Sequence, residues 1–213
     1  MSEVTNLKSI FWLTLIAAAI SGIAAASPQP VERDNSSGSV GKADILIVYV
    51  SRTENTKVVA EMIHQELGGD MKALELETPY PEDYEVIVAK VDEENERGYL
   101  PPLKTRIDDI EDYDTIFLGF PTWDMQLPPP MKSFLHEYDL SGETVIPFNT
   151  HGGYGTGSSF RQVSELCHES NVLQGFSTKG GEERDGIYLA IAGERREEVH
   201  AEVMEWLRNI GML

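Results

Sequence analysis

The most constraining feature of the sequence is a pattern of strand, polar loop and helix that begins at residue 45. Residues 45–50, Ile-Leu-Ile-Val-Tyr-Val, are apolar and mostly β-branched, which is typical of a strand buried on both faces in a parallel sheet. A polar loop occupies 51–56, and residues 57–67 then carry apolar side chains at helical spacing. Free backbone N–H groups and the helix dipole favour an anion at such a junction. The sequence therefore predicts a phosphate-binding loop at 51–56, called the first loop below.

The first loop lacks both the glycine-rich dinucleotide fingerprint and the Gly-Lys-Ser/Thr of nucleotide triphosphate loops. Its sequence, Ser-Arg-Thr-Glu-Asn-Thr, resembles the Ser/Thr-x-Thr-Gly-Asn-Thr signature with which flavodoxins hold the phosphate of flavin mononucleotide (FMN). The resemblance implies an FMN phosphate site made by Ser51, Arg52, Thr53, Glu54, Asn55 and Thr56. Glu54 replaces the glycine of the signature, so we expect its side chain to point outward. Arg52 could offset the charge of Glu54 or could be a solvated loop residue. The alternative, in which these polar residues only cap the helix, stays open.

A second match lies at the end of another apolar strand, 115–120. Residues 113–123 resemble Asp-x-Ile-x-x-Gly-x-Pro-x-Trp of a bacterial flavodoxin-like family, and 121–130 form the second loop. The resemblance implies that Pro121, Thr122 and Trp123 line the isoalloxazine ring, and Asp124 is a further candidate contact. Stacking on a flat ligand suits an indole that is hard to bury whole, although a Trp packed on its own domain remains the alternative.

A third loop, 150–159, follows the predicted strand 144–149. It resembles the Thr-x-Gly-Gly-x-Gly loop of the same family, which implies FMN contacts from Thr150, His151, Gly152, Gly153, Tyr154 and Gly155. Short-chain carrier flavodoxins have an acidic residue and a stacking tyrosine in this loop, and the difference favours a flavoenzyme with an open ring face. His151 can hydrogen-bond the flavin or a substrate, or it can be an exposed loop histidine.

Residues 44–213 are predicted to form one α/β domain. Further strands are expected at 71–76 and 172–178, and an amphipathic helix with a core Trp206 at 194–210. The resemblance, which covers about residues 44–211, implies a three-layer, doubly wound, flavodoxin-like parallel sheet of strand order 2-1-3-4-5. In that order the three loops share one rim of the sheet, where ligands bind.

The first 26 residues are predicted to be a secretory signal peptide, because an apolar run follows Lys8 and ends in Ala-Ala-Ala before Ser27. Residues 27–43 are expected to be a flexible linker. We therefore expect an exported protein, periplasmic or extracellular, with an uncleaved membrane anchor as the alternative. The single cysteine, Cys167, excludes an intramolecular disulfide and is expected to be buried and inert.

The formal net charge of -19 argues against nucleic acid as a partner, and it can steer a basic redox partner protein. The spacing of His, Cys and carboxylate residues suggests no metal site. Three functions remain open at this point. They are an FMN-dependent oxidoreductase that passes electrons to a small quinone-like acceptor, a one-electron carrier, and an exported binding module that has lost FMN.

Overall fold

The structure, a computed structural model, describes residues 44–213. The predicted signal peptide and linker lie outside the described residues. The strands are β1 (Ile45–Tyr49), β2 (Asp70–Ala73), β3 (Thr115–Pro121), β4 (Thr144–His151), β5 (Asn171–Val172) and β6 (Phe176–Lys179). The helices are α1 (Asn55–Leu67), α2 (Tyr84–Arg97), α3 (Pro129–Glu137), α4 (Ser159–Leu166) and α5 (Glu194–Asn209), with short 3-10 turns at Ile110–Asp112 and Glu183–Asp185. Among helices of residues 44–213, none has the length and apolar character needed to cross a membrane.

The sheet is parallel throughout and has the order β2-β1-β3-β4-β5, while β6 also pairs with β4. This confirms the predicted doubly wound order. Every residue of β1 is buried, because helices cover both faces of the sheet. Ile47 lies opposite Met71 on one side and Phe117 on the other, so β1 occupies a central position and its carboxyl end points into the rim where β3 and β4 also end.

The prediction of a single fifth strand at 172–178 is wrong, because two short strands, β5 and β6, form in this part of the chain. Residues 173–175, between β5 and β6, lie opposite only two residues of β4, and one of these is Pro147. The backbone N–H of Leu173 donates to the carbonyl of Val145, but the next ladder bond needs an N–H that proline lacks. The extra residue forms a bulge that divides the strand.

Two apolar layers hold the helices on the sheet. One contains the side chains of Ile45, Ile47 and Tyr49 together with buried faces of α1 and α5, and it includes Trp206. The other contains Leu46, Val48 and Val50 together with α3 and Val163 of α4. Alternate residues of β1 therefore face opposite layers, as the period of a strand requires. Trp206 belongs to the core as predicted, and its indole N–H donates to the carbonyl of Gln174 at 2.9 Å.

Cys167 is buried just beyond the end of α4. Burial raises the pKa of its thiol to about 11. The reactive thiolate is thereby disfavoured near neutral pH, in agreement with the expected inert cysteine.

Candidate functional site

The first loop presents unsatisfied backbone donors at the end of β1. Helix α1 begins at Asn55, two residues earlier than predicted. No residue in the described part of the chain accepts a hydrogen bond from the backbone N–H groups of residues 52–56, whereas the N–H of Lys57 donates to Ser51 Oγ at 3.3 Å. Consecutive free N–H groups at a helix N-terminus form an anion-binding concavity. The first loop therefore has the donors that a phosphate requires.

Glu54 occupies the position at which the signature has glycine. Its backbone is left-handed, with φ 63° and ψ -10°, a conformation that costs a residue with a Cβ about 1 kcal/mol. Its carboxylate lies 2.5 Å from Lys57 Nζ and its side chain is 53% exposed. The side chain thus points outward, and the loop keeps the backbone path that glycine would adopt.

Asn55 ties the first loop to the segment 180–191, which follows β6 and is called the strap. Its side-chain N–H groups donate to the carbonyl and hydroxyl oxygens of Thr53, at 3.1 and 2.9 Å, and to the carbonyl of Tyr188 at 2.6 Å. Its Oδ1 accepts from the backbone N–H groups of Ala190 and Ile191, at 2.9 and 3.0 Å. The buried side-chain amide is thus fully engaged with the protein. The backbone N–H of Asn55, in contrast, has no acceptor within residues 44–213 and can donate to a ligand.

Arg52 neither offsets the charge of Glu54 nor is a solvated loop residue, because its side chain is 19% exposed and its guanidinium is held by other groups. Its Nε donates to both carboxylate oxygens of Glu183, at 2.8 and 2.9 Å. The guanidinium also donates to the carbonyl oxygens of Pro81, at 2.8 Å, and Glu82. A planar donor set of this kind suits two-pronged binding of a carboxylate. Arg52 therefore connects the first loop, the strap and the segment before α2.

The second and third loops are joined beside the first. The N–H of Thr122 donates to the carbonyl of Thr150 at 2.9 Å, and its hydroxyl donates to the carbonyl of Gly155, also at 2.9 Å. The hydroxyl groups of Thr56 and Thr150 lie 2.8 Å apart. The buried amide of Asn149, which the sequence did not single out, donates to Thr122 Oγ1 at 2.9 Å. These bonds fix the three loops as one rim.

The turn that follows Trp123 holds two residues in left-handed conformations, Asp124 and Met125, with φ 49° and 54°. The N–H of Gln126 donates to the carbonyl of Trp123 at 3.0 Å and closes the turn. Positive φ at both central residues is the type I′ pattern. The carboxylate of Asp124 accepts from Asn95 of α2 at 3.0 Å and from Gln126 at 2.7 Å. Asp124 therefore anchors the turn to α2.

The imidazole of His151 accepts a hydrogen bond at Nδ1 from the backbone N–H of Gly153, at 3.0 Å. An accepting Nδ1 implies a neutral ring with its proton on Nε2. Burial and the nearby charge of Lys179 lower the pKa of His151, which favours the same neutral form. Tyr154, in contrast, is 70% exposed, so it leaves one side of the rim open.

The three loops and the strap surround a cavity of about 190 Å³. Eleven of the sixteen predicted site residues line it: Arg52, Thr53, Asn55, Thr56, Pro121, Thr122, Trp123, Thr150, His151, Gly152 and Tyr154. Ser51, Glu54, Asp124, Gly153 and Gly155 do not. The sequence missed Tyr84 and the strap residues 180–185, because the turn-rich composition of the strap gave no sign of where it would lie.

Two further cavities adjoin this one. A cavity of about 170 Å³ lies along α2 and one of about 230 Å³ lies near β2, and both include Arg52 and Trp123 in their walls. Asp124 lines the former and Ser51 the latter. Trp123 therefore borders open space on several sides, and the Arg52 and Glu183 pair forms part of the wall between the first two cavities.

Comparison with known proteins places this geometry in context. The family model described as Flavodoxin matches residues 44–188. The flavodoxin of Synechocystis sp. is 24% identical over 138 residues, which are 63% of this chain and 67% of that protein.

Solved structures share the fold. A structure described as a flavoprotein of Bacteroides eggerthii has a TM-score of 0.63 at 24% identity, covering 79% of this chain and 98% of that one. A flavoprotein of Lactobacillus acidophilus, in complex with FMN, has a TM-score of 0.57 at 23% identity, covering 68% of this chain and 98% of that one.

Proposed function

The chain belongs to the flavodoxin family, and from this premise we propose that it binds FMN noncovalently in the cavity formed by the three loops and acts in electron transfer. The observation that carries the proposal is the set of backbone N–H groups at residues 52–56 that find no acceptor within residues 44–213, since four of these five residues line that cavity. These donors fit a phosphate in a chain of net charge -19, because they bind an anion without requiring a free cationic side chain.

The ring of FMN suits the part of the cavity that Trp123 and Pro121 line. Trp123 and Pro121 supply an apolar wall there, and an indole face can stack on an isoalloxazine. The volume of about 190 Å³ is below the roughly 300 Å³ at which small-molecule pockets begin. Bound FMN would therefore extend to the open mouth, where an edge of the ring could meet a partner.

Bound FMN would supply the electron chemistry, and the chain would position and tune it. The first loop would bind the phosphate, and Trp123 would exclude water from one face of the ring. The protonated Nε2 of His151 would offer a hydrogen-bond donor at the rim. Glu182, Glu183 and Asp185 border the cavity. Their carboxylates are paired with Lys179, Arg52 and Arg184 respectively, so these three acids add little net negative charge beside the ring.

The test is an absorption spectrum of the full chain after mixing with FMN and gel filtration. We expect flavin bands near about 450 nm to remain with the protein. The Trp123→Ala variant should lose most of the bound flavin. The control Tyr99→Ala, which removes an exposed aromatic residue outside the cavity, should retain it. A colourless wild-type protein would reject FMN binding and favour a module that has lost FMN, with Glu54 as the first residue to test.

A second candidate is an oxidoreductase that passes electrons to a small quinone-like acceptor. The exposure of Tyr154 favours it, since an uncovered ring face gives a substrate access. Turnover of a reduced nicotinamide nucleotide with a benzoquinone by the loaded protein would support this activity. A stabilised semiquinone without such turnover would support a one-electron carrier that serves a redox partner protein.

We also propose that the protein is exported, either cleaved after Ala26 or anchored by its first segment. N-terminal sequencing of the protein from fractionated cells tests this. A mature terminus at Ser27 outside the cytoplasm would support export with cleavage, and an intact cytoplasmic chain would contradict it.

A further inference from the structure

Helix α2 buries one carboxylate that neither the phosphate site nor the rim requires. The side chain of Glu94 is 7% exposed. The other acidic residues of this helix, Glu85, Asp92, Glu93 and Glu96, are all exposed. Removing a carboxylate from water costs free energy unless hydrogen bonds compensate. The burial of Glu94 therefore calls for an explanation from its contacts.

The principal partner of Glu94 is Tyr80. The phenol hydroxyl donates to Glu94 Oε2 at 2.5 Å. Burial and this hydrogen bond raise the pKa of Tyr80, so the phenol stays protonated and remains a donor. Lys90 Nζ lies 3.9 Å from Glu94 Oε1 and 5.2 Å from the centroid of the Tyr80 ring. The Tyr80 ring is thus held by its hydroxyl at one end and by a cation over its face.

The held ring of Tyr80 contacts Trp123. Their centroids are 5.5 Å apart and their planes meet at 82°, the edge-to-face arrangement that aromatic pairs favour. Trp123 borders all three cavities of the site, of about 190, 170 and 230 Å³. Close packing on every side therefore does not fix the indole, and the Tyr80 contact is a constraint that can.

We propose that Glu94 is a positioning residue, which acts through the Tyr80 hydroxyl to hold the indole of Trp123 in the orientation that forms the wall of the cavity. The role of that wall toward a flavin rests on the proposed function, whereas the positioning itself is a property of the chain without ligand.

Stability alone gives a weaker account of this pair. Replacing buried polar or ionic pairs with apolar residues of similar volume is often neutral or stabilising. A leucine at position 94 would fill the space of Glu94, but it would leave the Tyr80 hydroxyl without its acceptor. The two accounts therefore differ in what they predict for the orientation of Trp123.

The experiment uses the full chain labelled with 5-fluorotryptophan, with the Trp123 resonance assigned by its loss in Trp123→Phe. Glu94→Leu removes the acceptor, Tyr80→Phe removes only the hydroxyl, and Glu94→Gln keeps an acceptor. Glu96→Gln is the control on the exposed face of the same helix. Without FMN, we expect Glu94→Leu and Tyr80→Phe to shift or broaden the Trp123 fluorine resonance, and we expect Glu94→Gln and Glu96→Gln to leave it in place.

FMN and riboflavin titrations give the second measurement. Glu94→Leu and Tyr80→Phe should weaken both ligands by a similar factor, about three- to tenfold, because the ring wall changes while the phosphate site does not. Glu94→Gln should stay within about twofold of wild type.

An unchanged Trp123 resonance in both Glu94→Leu and Tyr80→Phe would overturn the proposal. A resonance displaced equally by Glu94→Gln and Glu94→Leu would overturn it too, since the hydrogen bond would not be the cause. If the variants show the expected resonance changes but the wild-type chain binds no flavin, the FMN proposal is rejected and the positioning role of Glu94 stands.

Discussion

The first and second loops border the same cavity but present different kinds of groups to it. The first loop offers backbone N–H groups from residues 52–56, whose direction is set by the chain path into α1. The second loop offers the side chain of Trp123, whose orientation depends on contacts made elsewhere. Because the first loop acts through its backbone, it accommodates Glu54 in place of the glycine of the signature. The wall formed by Trp123 depends instead on a specific partner side chain.

Removal of the Asn55 amide should have the largest effect, because this side chain anchors the first loop to the strap. Asn55→Ala leaves the backbone N–H groups of Ala190 and Ile191 without their acceptor, and buried unsatisfied groups cost about 1–3 kcal/mol each. We expect the free energy of unfolding in urea to fall by about 3 kcal/mol. Asn209→Ala, at an exposed position, should change it by less than about 0.5 kcal/mol. Equal stability of the two variants would show that the first loop does not depend on this anchor.

Truncation of the Trp123 side chain should weaken binding of the flavin ring and leave binding of the phosphate unchanged. Trp123→Ala removes stacking worth about 1–3 kcal/mol on the scale of aromatic and base contacts, so we expect FMN affinity to fall about thirtyfold. Riboflavin, which lacks the phosphate, should lose affinity by the same factor in fluorescence titrations. A selective loss of FMN binding would mean that Trp123 supports the phosphate site, and the proposed separation of the two loops would be wrong.

Restoring glycine at position 54 tests the claim that the first loop works through its backbone. Glu54→Gly removes left-handed strain of about 1 kcal/mol together with a negative charge, and we expect FMN affinity to rise about fivefold, equivalent to about 1 kcal/mol of electrostatic interaction. Glu54→Gln removes the charge but keeps the side chain. It should reproduce the gain in affinity without the gain in unfolding free energy. A fall in FMN affinity in both variants would show that the Glu54 side chain takes part in the site.

His151 should give the smallest effect, and it reports on the third loop. Its pKa in the folded chain is lowered from the ordinary value of 6.5, so the unfolded chain binds more protons as the pH falls through 6.5. Stability is therefore lost on acidification below that value. His151→Asn should lose less stability than wild type between pH 7.5 and 5.5 in urea unfolding. A wild-type chain that is stabilised by acid more than the variant would reverse the sign and contradict a neutral imidazole.

The parts of the molecule that follow local pattern could be predicted from the sequence. The buried strand, the first loop and α1 form a contiguous stretch, and its polarity and periodicity determine it. The strap and the break between β5 and β6 could not be predicted in this way. The strap lies on Asn55 and Arg52, about 130 residues earlier in the chain, and the break depends on Pro147 in a neighbouring strand.

The site shows the same division. Trp123 could be predicted from its position after β3, but its contacts with Tyr80 and, through it, Glu94 could not. Those two residues belong to the acidic segment around α2, where exposed carboxylates outnumber the buried one. A single buried acid has the same letter in the sequence as its exposed neighbours, so only the fold distinguishes it.

The most direct test of the account is the affinity of FMN relative to riboflavin for the full chain, measured by titration calorimetry. If the N–H groups of residues 52–56 bind the phosphate, FMN should bind at least about a hundredfold more tightly, since charge-assisted hydrogen bonds contribute about 1.5–3 kcal/mol each. Equal affinities for the two flavins would contradict a phosphate site at the first loop, even if both ligands bind.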